Sequence, residues 1–164
     1  MQTIAQLTRH FHQHGNVSWI GIRPERRGDI EIVNSIQVTP LGAITGDRYK
    51  SQQGKRQVTL IQGEHLPAVA SMLGIDEIDP ALLRRNIVVN GINLLALKGH
   101  QFMVGTALLE YTGLCHPCSR MEEVFGVGGY NAVRGHGGIT ARVIAQGIIR
   151  LGDSISVSKL NSDG

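Results

Sequence analysis

The chain is poor in the residues that most often announce a function. Of its 164 residues only two are cysteine, Cys115 and Cys118, too few for the disulfide framework of a small secreted domain. Aromatic residues make up 4%, and none interleaves with a Lys/Arg block, which argues against a nucleic-acid partner. No apolar run approaches the roughly 20 residues of a membrane span. The opening stretch MQTIAQLTRHFHQHG lacks an apolar core of signal-peptide length. These absences predict a soluble, cytoplasmic protein with reduced thiols, no membrane contact and no nucleic acid. Internal repeats, low-complexity tracts and interdomain linkers are absent too, so one domain is expected.

What is present in quantity is glycine, 21 residues against 5 prolines. Glycines between short apolar runs favour a turn-rich β fold. The formal charge of +3 is mildly basic and suits an anionic ligand. Arginines cluster locally at Arg23, Arg26 and Arg27 and at Arg84 and Arg85; taken pair by pair they read as solvated faces.

From Val17 onward the segments VSWIGIRP, IVNSIQVTP, RQVTLIQ, NIVVNG, QFMVGTALLEYTG, ARVIAQGIIRLG and DSISVS are short and β-branched, bounded by Gly, Pro or Asp. In SISVS, Ile155 and Val157 alternate inward. The spacing of Ile4, Leu7 and Phe11 predicts an amphipathic helix over residues 2–13, ended by Gly15. His10, His12 and His14 fall near its end and read as ordinary polar side chains there. A second helix follows Gly63 through EHLPAVASMLG, and a third is DPALLRR, capped by Asp79 with Pro80 at its first position. Few helices and no βαβ alternation predict a mainly β fold, a small closed or partly closed β-barrel. The domain division is an N-terminal helix at 1–15, the barrel at 16–158 and a polar tail at 159–164.

HPCSRMEEVFG reads as one more helix, with His116 as cap and Pro117 first. Cys118 then occupies the second helical position, where free amides and the dipole favour a thiolate. Arg120 adds a cation; Glu122 and Glu123 oppose it. Cys115 precedes the helix without this support. The spacing C-x-x-C alone leaves four readings open: two buried structural thiols, a reversible disulfide, half of a zinc site, or one working thiolate. A thioredoxin-like reading requires a βαβ unit, which is not expected here.

Five stretches, VSWIGIRPERRG, GDRYKSQQGKRQVTLIQGEHL, RRNIVVNGINL, LLEYTGLCHPCSRME and RGHGGITARVIAQGIIRLGD, together resemble the MOSC family in order and spacing. That domain occurs at the C-terminus of molybdenum-cofactor sulfurases and as stand-alone bacterial proteins. The resemblance implies a barrel related to the pyruvate-kinase barrel domain, and a site for a molybdenum–molybdopterin cofactor or a sulfur-containing precursor. It also implies a reactive cysteine that carries sulfur as a persulfide or ligates molybdenum. Pro117, Cys118, Ser119 and Arg120 match the family pattern around it. Met121 stands where the amidoxime-reducing branch has a second, metal-binding cysteine. By this resemblance the catalytic candidates are Cys118 and Arg120, with Cys115 as resolving partner, and Cys118 is the metal ligand.

The cofactor-binding candidates follow from the chemistry of a pterin phosphate. Arg85 suits a bidentate clamp, and Asn86 suits a heterocycle edge or, alternatively, a helix cap. Arg48 matches the family's cofactor-side arginine. Asp47, in a turn allowed by Gly46, bonds the turn backbone. In RGHGG, the amides around Gly137 can nest an anion and His136 can exchange a proton. Gln62, Glu64 and His65 open the helix after VTLI, and any role there rests on the family block. Gly152 and Asp153 read as a turn.

The expected partners are a pterin ligand and either a sulfur donor (a cysteine desulfurase) or an electron-transfer reductase that supports reduction of N-hydroxylated compounds. Pyridoxal phosphate, which the sulfurases bind in a separate domain, is not expected in this chain. The alternative is a thiol-redox or binding module that uses a Cys115–Cys118 disulfide and no molybdenum cofactor. A zinc-binding structural protein ranks third.

Overall fold

The computed structural model describes residues 1–52 and 54–157; the polar tail expected at 159–164 lies outside them. The strands are β1 (Gly15–Ile22), β2 (Glu31–Ile32), β3 (Ser35–Thr39), β4 (Ala43–Ile44), β5 (Val58–Gln62), β6 (Ile87–Asn90), β7 (Gln101–Val104), β8 (Ala107–Leu114), β9 (Ile139–Ala145), β10 (Gly147–Arg150) and β11 (Ser154–Val157). Seven of them pair in the order β1-β6-β5-β9-β8-β7-β11, and β11 returns to β1 through Gly15↔Ile155, closing the barrel. Closure leaves no free edge in the ring. β2 extends β1, and β10-β3-β4 form a separate small sheet.

The helices are α1 (Ile4–Leu7), α2 (His65–Leu73), α3 (Pro80–Leu83), α4 (Arg120–Phe125) and α5 (Gly129–Val133). α3 has the expected cap, with Asp79 accepting from Ala81 N at 3.0 Å and Pro80 in the first turn. α2 ends at Gly74 in the left-handed conformation, φ 69°, where glycine pays no Cβ penalty. α5 and a 3-10 turn at Leu94–Leu97 have no counterpart among the expected helices.

Three expectations are corrected. The N-terminal helix is one turn, Ile4–Leu7, closed by a Thr3/Gln6 capping box and carrying no buried residue. A lone short amphipathic helix is marginal without a surface to cover. Gly15 opens β1 rather than ending a helix. Second, β5 and β6 pair in parallel, and α2 and α3 lie between them in the chain. The barrel therefore contains one helical crossover. Every residue of β5 is buried, which is the pattern of a parallel strand covered on both faces. Third, α4 begins at Arg120, with Ser119 as its N-cap, so Cys118 lies outside the helix.

Two cores follow from this arrangement. Leu60 and Ile87 point into the barrel with Val17, Phe102, Leu109 and Ile155. Their neighbours Ile61 and Val88 point outward and pack with Val69, Leu83, Met121 and Val133 under the helices. Glu122 ties α4 to α5 by accepting from Gly128 N at 3.0 Å and Tyr130 N at 3.0 Å. The Tyr130 and then the Gly128 backbone bond hold its carboxyl below the ordinary 4.5. A depressed carboxyl stabilises the folded state above its ordinary value and loses that contribution as pH falls through the folded value. The exchange protection of the Gly128 and Tyr130 amides is therefore expected to drop on acidification below pH 4.5, and Glu122→Gln should flatten that drop. A profile unchanged by the substitution would count against the clamp.

Candidate functional site

The thiol segment leaves β8 at Leu114 and enters α4 at Arg120. Residues 115–118 alternate buried, exposed, buried, exposed, so Cys115 faces in and Cys118 faces out. Both thiols are free, Cys115 buried at 2% exposure and Cys118 exposed. Cys118 meets the helix only through its carbonyl, which accepts from Met121 N at 3.0 Å. The segment stays out of the helix because tertiary contacts hold its backbone. Cys115 N donates to Gly138 O at 2.8 Å. Arg85, 7% exposed, donates to Gly137 O and Leu83 O at 2.8 Å each, to His116 O at 3.3 Å and to Cys115 O at 3.5 Å. Its guanidinium is thus spent on carbonyls of its own chain. Burial pushes it below its ordinary value; nearby Cys115 opposes that and Arg56 adds to it. Arg56 Nη2 also reaches Cys115 Sγ at 3.7 Å, so the cation at a cysteine sulfur is Arg56, and the cysteine is the inner one.

The glycine loop after α5 serves the same seat. A methyl on Gly137 would lie 2.0 Å from Cys115 O; the close approach its glycine permits is to the chain itself. Asn86 is fully buried. Its Oδ1 accepts from Thr59 N and Thr59 Oγ1 at 3.0 Å each, and its Nδ2 donates to Gly21 O at 3.2 Å and Asp47 Oδ1 at 3.3 Å. Asp47 bonds the turn as expected, accepting from Tyr49 N at 3.1 Å, and it also pairs with Arg23. Arg85 and Asn86, adjacent in sequence, thus tie different segments: Arg85 the thiol segment and the glycine loop, Asn86 β5, β1 and the Asp47 turn.

Cations gather beside the thiol segment. Arg84 ends α3 with φ 56° and donates to Gly28 O at 2.6 Å. Burial pushes its guanidinium down, and so do Arg120, Arg23 and Arg48, against Asp47 alone. Arg48 is exposed. Arg120 Nε is buried with no hydrogen-bond partner. Asp47, the carboxylate that opposes them, is itself paired with Arg23. These arginines lie far apart in the sequence; the convergence of the loops after β1, β4, α3 and β8 has no signature in spacing. His136 is brought against His65, Nδ1 to Nδ1, at 3.2 Å. No group of three or more His, Cys, Asp or Glu side chains placed for a metal ion occurs among the described residues.

A family model described as MOSC domain matches residues 7–156. The chain belongs to the MOSC domain family. Solved structures with this fold include the YUAD protein from Bacillus subtilis, 18% identical over 90% of this chain and 98% of that one, with a TM-score of 0.76. YiiM from Geobacillus stearothermophilus is 17% identical over 88% of this chain and 75% of that one, TM-score 0.72. YiiM from Escherichia coli is 19% identical over 90% and 72%, TM-score 0.67. No curated protein matches the chain.

The MOSC family is associated with molybdenum-cofactor binding, and the residues present fit the anionic part of such a group. Arg84 lies near Arg120 and Arg48, and Arg120 Nε has no hydrogen-bond partner. They fit a second thiolate ligand less well. Met121 is 1% exposed and packed in the core under the helices, so the side chain at that position points away from the exposed thiol. This MOSC domain also has a cleft of about 510 Å³ lined by Leu7, Phe11, Ile92, Leu95 and Lys98 among others. It lies past the C-terminal end of β6, whereas Arg84 and Arg85 precede that strand, and His10 and His12 line it. No helix among the described residues is long and apolar enough to cross a membrane.

Proposed function

We propose that this MOSC domain binds the anionic end of a molybdopterin-type cofactor at Arg84, Arg120 and Arg48, and that Cys118 is its sulfur carrier. The observation that carries the reading is an exposed, free thiol beside a cation cluster whose neighbouring carboxylate is committed elsewhere. Arg85, Asn86 and the loop around Gly137 hold the seat rather than the ligand. In the uptake step the Cys118 thiolate attacks the outer sulfur of a protein persulfide on a cysteine desulfurase. A new S–S bond forms on Cys118, the donor's S–S bond breaks, and the electron pair leaves with the donor thiolate. No net oxidation occurs. The bound cofactor would supply a metal centre that accepts the sulfur. The guanidinium groups of the cluster hold the phosphate. Buried Met121 supports sulfur transfer over a reductase acting on N-hydroxylated compounds, because it withholds the second thiolate.

Incubation with a cysteine desulfurase and cysteine, followed by cyanide release of sulfane sulfur, tests the reading. Wild type and Cys115→Ser are expected to load, and Cys118→Ser is expected not to. Equal loading of Cys118→Ser and wild type would sink the assignment. Protein from molybdenum-replete cells should carry pterin fluorescence that Arg120→Ala lowers. Reversible oxidation of both thiols would instead support the disulfide alternative, which the inward and outward faces of Cys115 and Cys118 disfavour.

A further inference from the structure

His65 opens α2, and His136 lies in the loop that follows α5. Their Nδ1 atoms are 3.2 Å apart, with the rings edge to face at a centroid separation of 4.9 Å. Two imidazole nitrogens in such contact need one proton between them, one ring donating and the other accepting. With both rings protonated the hydrogen bond is lost and like charges face each other. The charges that reach His65 are His136 from the loop and Glu64 from its own element. Glu64 is itself committed to Gly91 N at 2.9 Å, Gln62 Nε2 at 2.9 Å and Asn90 Nδ2 at 3.2 Å.

The pair stands at the head of a short chain of contacts. His136 N donates to Val133 O at 2.7 Å, which ties the ring's backbone to α5. The next residue, Gly137, gives its carbonyl to Arg85 Nε. The one after it, Gly138, gives its carbonyl to Cys115 N. Three consecutive residues therefore connect α2 to the thiol segment.

We propose that His65 is a positioning residue for the thiol segment: its Nδ1 contact holds the 136–138 loop against Cys115, and the hold lasts only while the two rings share a single proton. Its consequence for sulfur uptake rests on the Cys118 reading above; the coupling itself does not. Burial and the charge of His136 push His65 below its ordinary 6.5, with Glu64 opposing. For a depressed histidine the hold is complete above pH 6.5 and is lost as pH falls through the folded value. Opening that takes up one proton loses about tenfold in protection per pH unit.

Native-state exchange of the Cys115 amide, corrected for intrinsic rates and followed from about pH 8 down to about pH 5, across the histidine range, reads this directly. In wild type its protection should be flat above about pH 6.5 and fall by up to about tenfold per pH unit below it. His65→Gln, which keeps a hydrogen bond but cannot titrate, should stay protected and flat. His65→Ala should be weakly protected throughout. A flat wild-type profile, or the wild-type pH dependence persisting in His65→Gln, overturns the proposal. Should His65→Ala lose protection at Leu60 and Ile87 as well, it has unfolded, and the wild-type and His65→Gln profiles decide. Sulfur loading of Cys118 at the two ends of the range separates the readings: no loading at either end removes the carrier role and leaves the exchange result standing.

Discussion

Asp47→Ala is expected to destabilise the fold by about 3–5 kcal/mol, the cost of removing one member of a buried ion pair. The Asp47 side chain is fully buried against Arg23, whose own is 10% exposed. Its two oxygens accept from Arg23 N at 2.7 Å, Arg23 Nε at 3.3 Å, Arg23 Nη2 at 3.2 Å, Tyr49 N at 3.1 Å and Asn86 Nδ2 at 3.3 Å. Alanine removes the acceptor of Arg23 N and Tyr49 N, leaves Asn86 Nδ2 with Gly21 O alone, and leaves a guanidinium in a nearly dry site. It also frees the Arg23 charge toward Arg84, which the cluster already presses down. Urea unfolding measures the loss, and a change below about 1 kcal/mol, the scale of an exposed pair, would contradict this account. The double substitution Arg23→Met with Asp47→Leu should cost less than the two single losses added together. The buried charge is then gone, although the backbone N–H groups of residues 23 and 49 still lack their partner.

The second large effect is expected at Gly138. Its φ is 88°, a conformation that costs an L-residue about 1–2 kcal/mol. A methyl there would lie 2.0 Å from Leu60 O and 2.9 Å from Ile61 Cα. Those are backbone atoms of β5, which cannot swing aside, and forced overpacking adds about 1–3 kcal/mol. Gly138→Ala should therefore lose about 2–5 kcal/mol and lift the loop from the barrel. The Cys115 N to Gly138 O bond goes with it, so Cys115 should become reactive to thiol reagents under native conditions. Gly135→Ala is the matched control. Its φ is 83°, but nothing lies within 4 Å of the added methyl. Only the conformational cost of about 1–2 kcal/mol remains, and Cys115 should stay protected. Equal losses at the two positions would mean that close packing is not what Gly138 supplies.

Elements with a local cause were legible in the amino-acid order. Asp79 and Pro80 start α3, Gly74 stops α2, Gly46 permits the turn at Asp47, and β-branched runs between glycines give the strands. The parallel pair was missed although its signature was present: VTLIQ and NIVV are unbroken buried runs, and a strand covered on both faces has no alternation to display. The first helix was overextended because Ile4, Leu7 and Phe11 keep helical spacing. Only Phe11 finds the core, and it does so from outside the helix.

The candidate residues are visible in the sequence, but the partners of their side chains are not. Sequence by itself determined the barrel class, the family motif around Cys118 and the mildly basic balance. Tertiary structure decided that Arg85 and Asn86 turn inward onto carbonyls and amides, and that Arg84 and Arg120 are left to share one face with Arg48. It decided the burial of the cysteines as well, Cys115 inside and Cys118 outside. An isolated HPCSR segment can start a helix at Pro117. Here Arg85 and Gly138 bind the carbonyls and amide of residues 115–116, so α4 starts at Arg120. The physical reason is one of range. Caps, turns and strand propensity act over a few residues, whereas a guanidinium's partners and a thiol's exposure depend on groups brought together from distant parts of the chain.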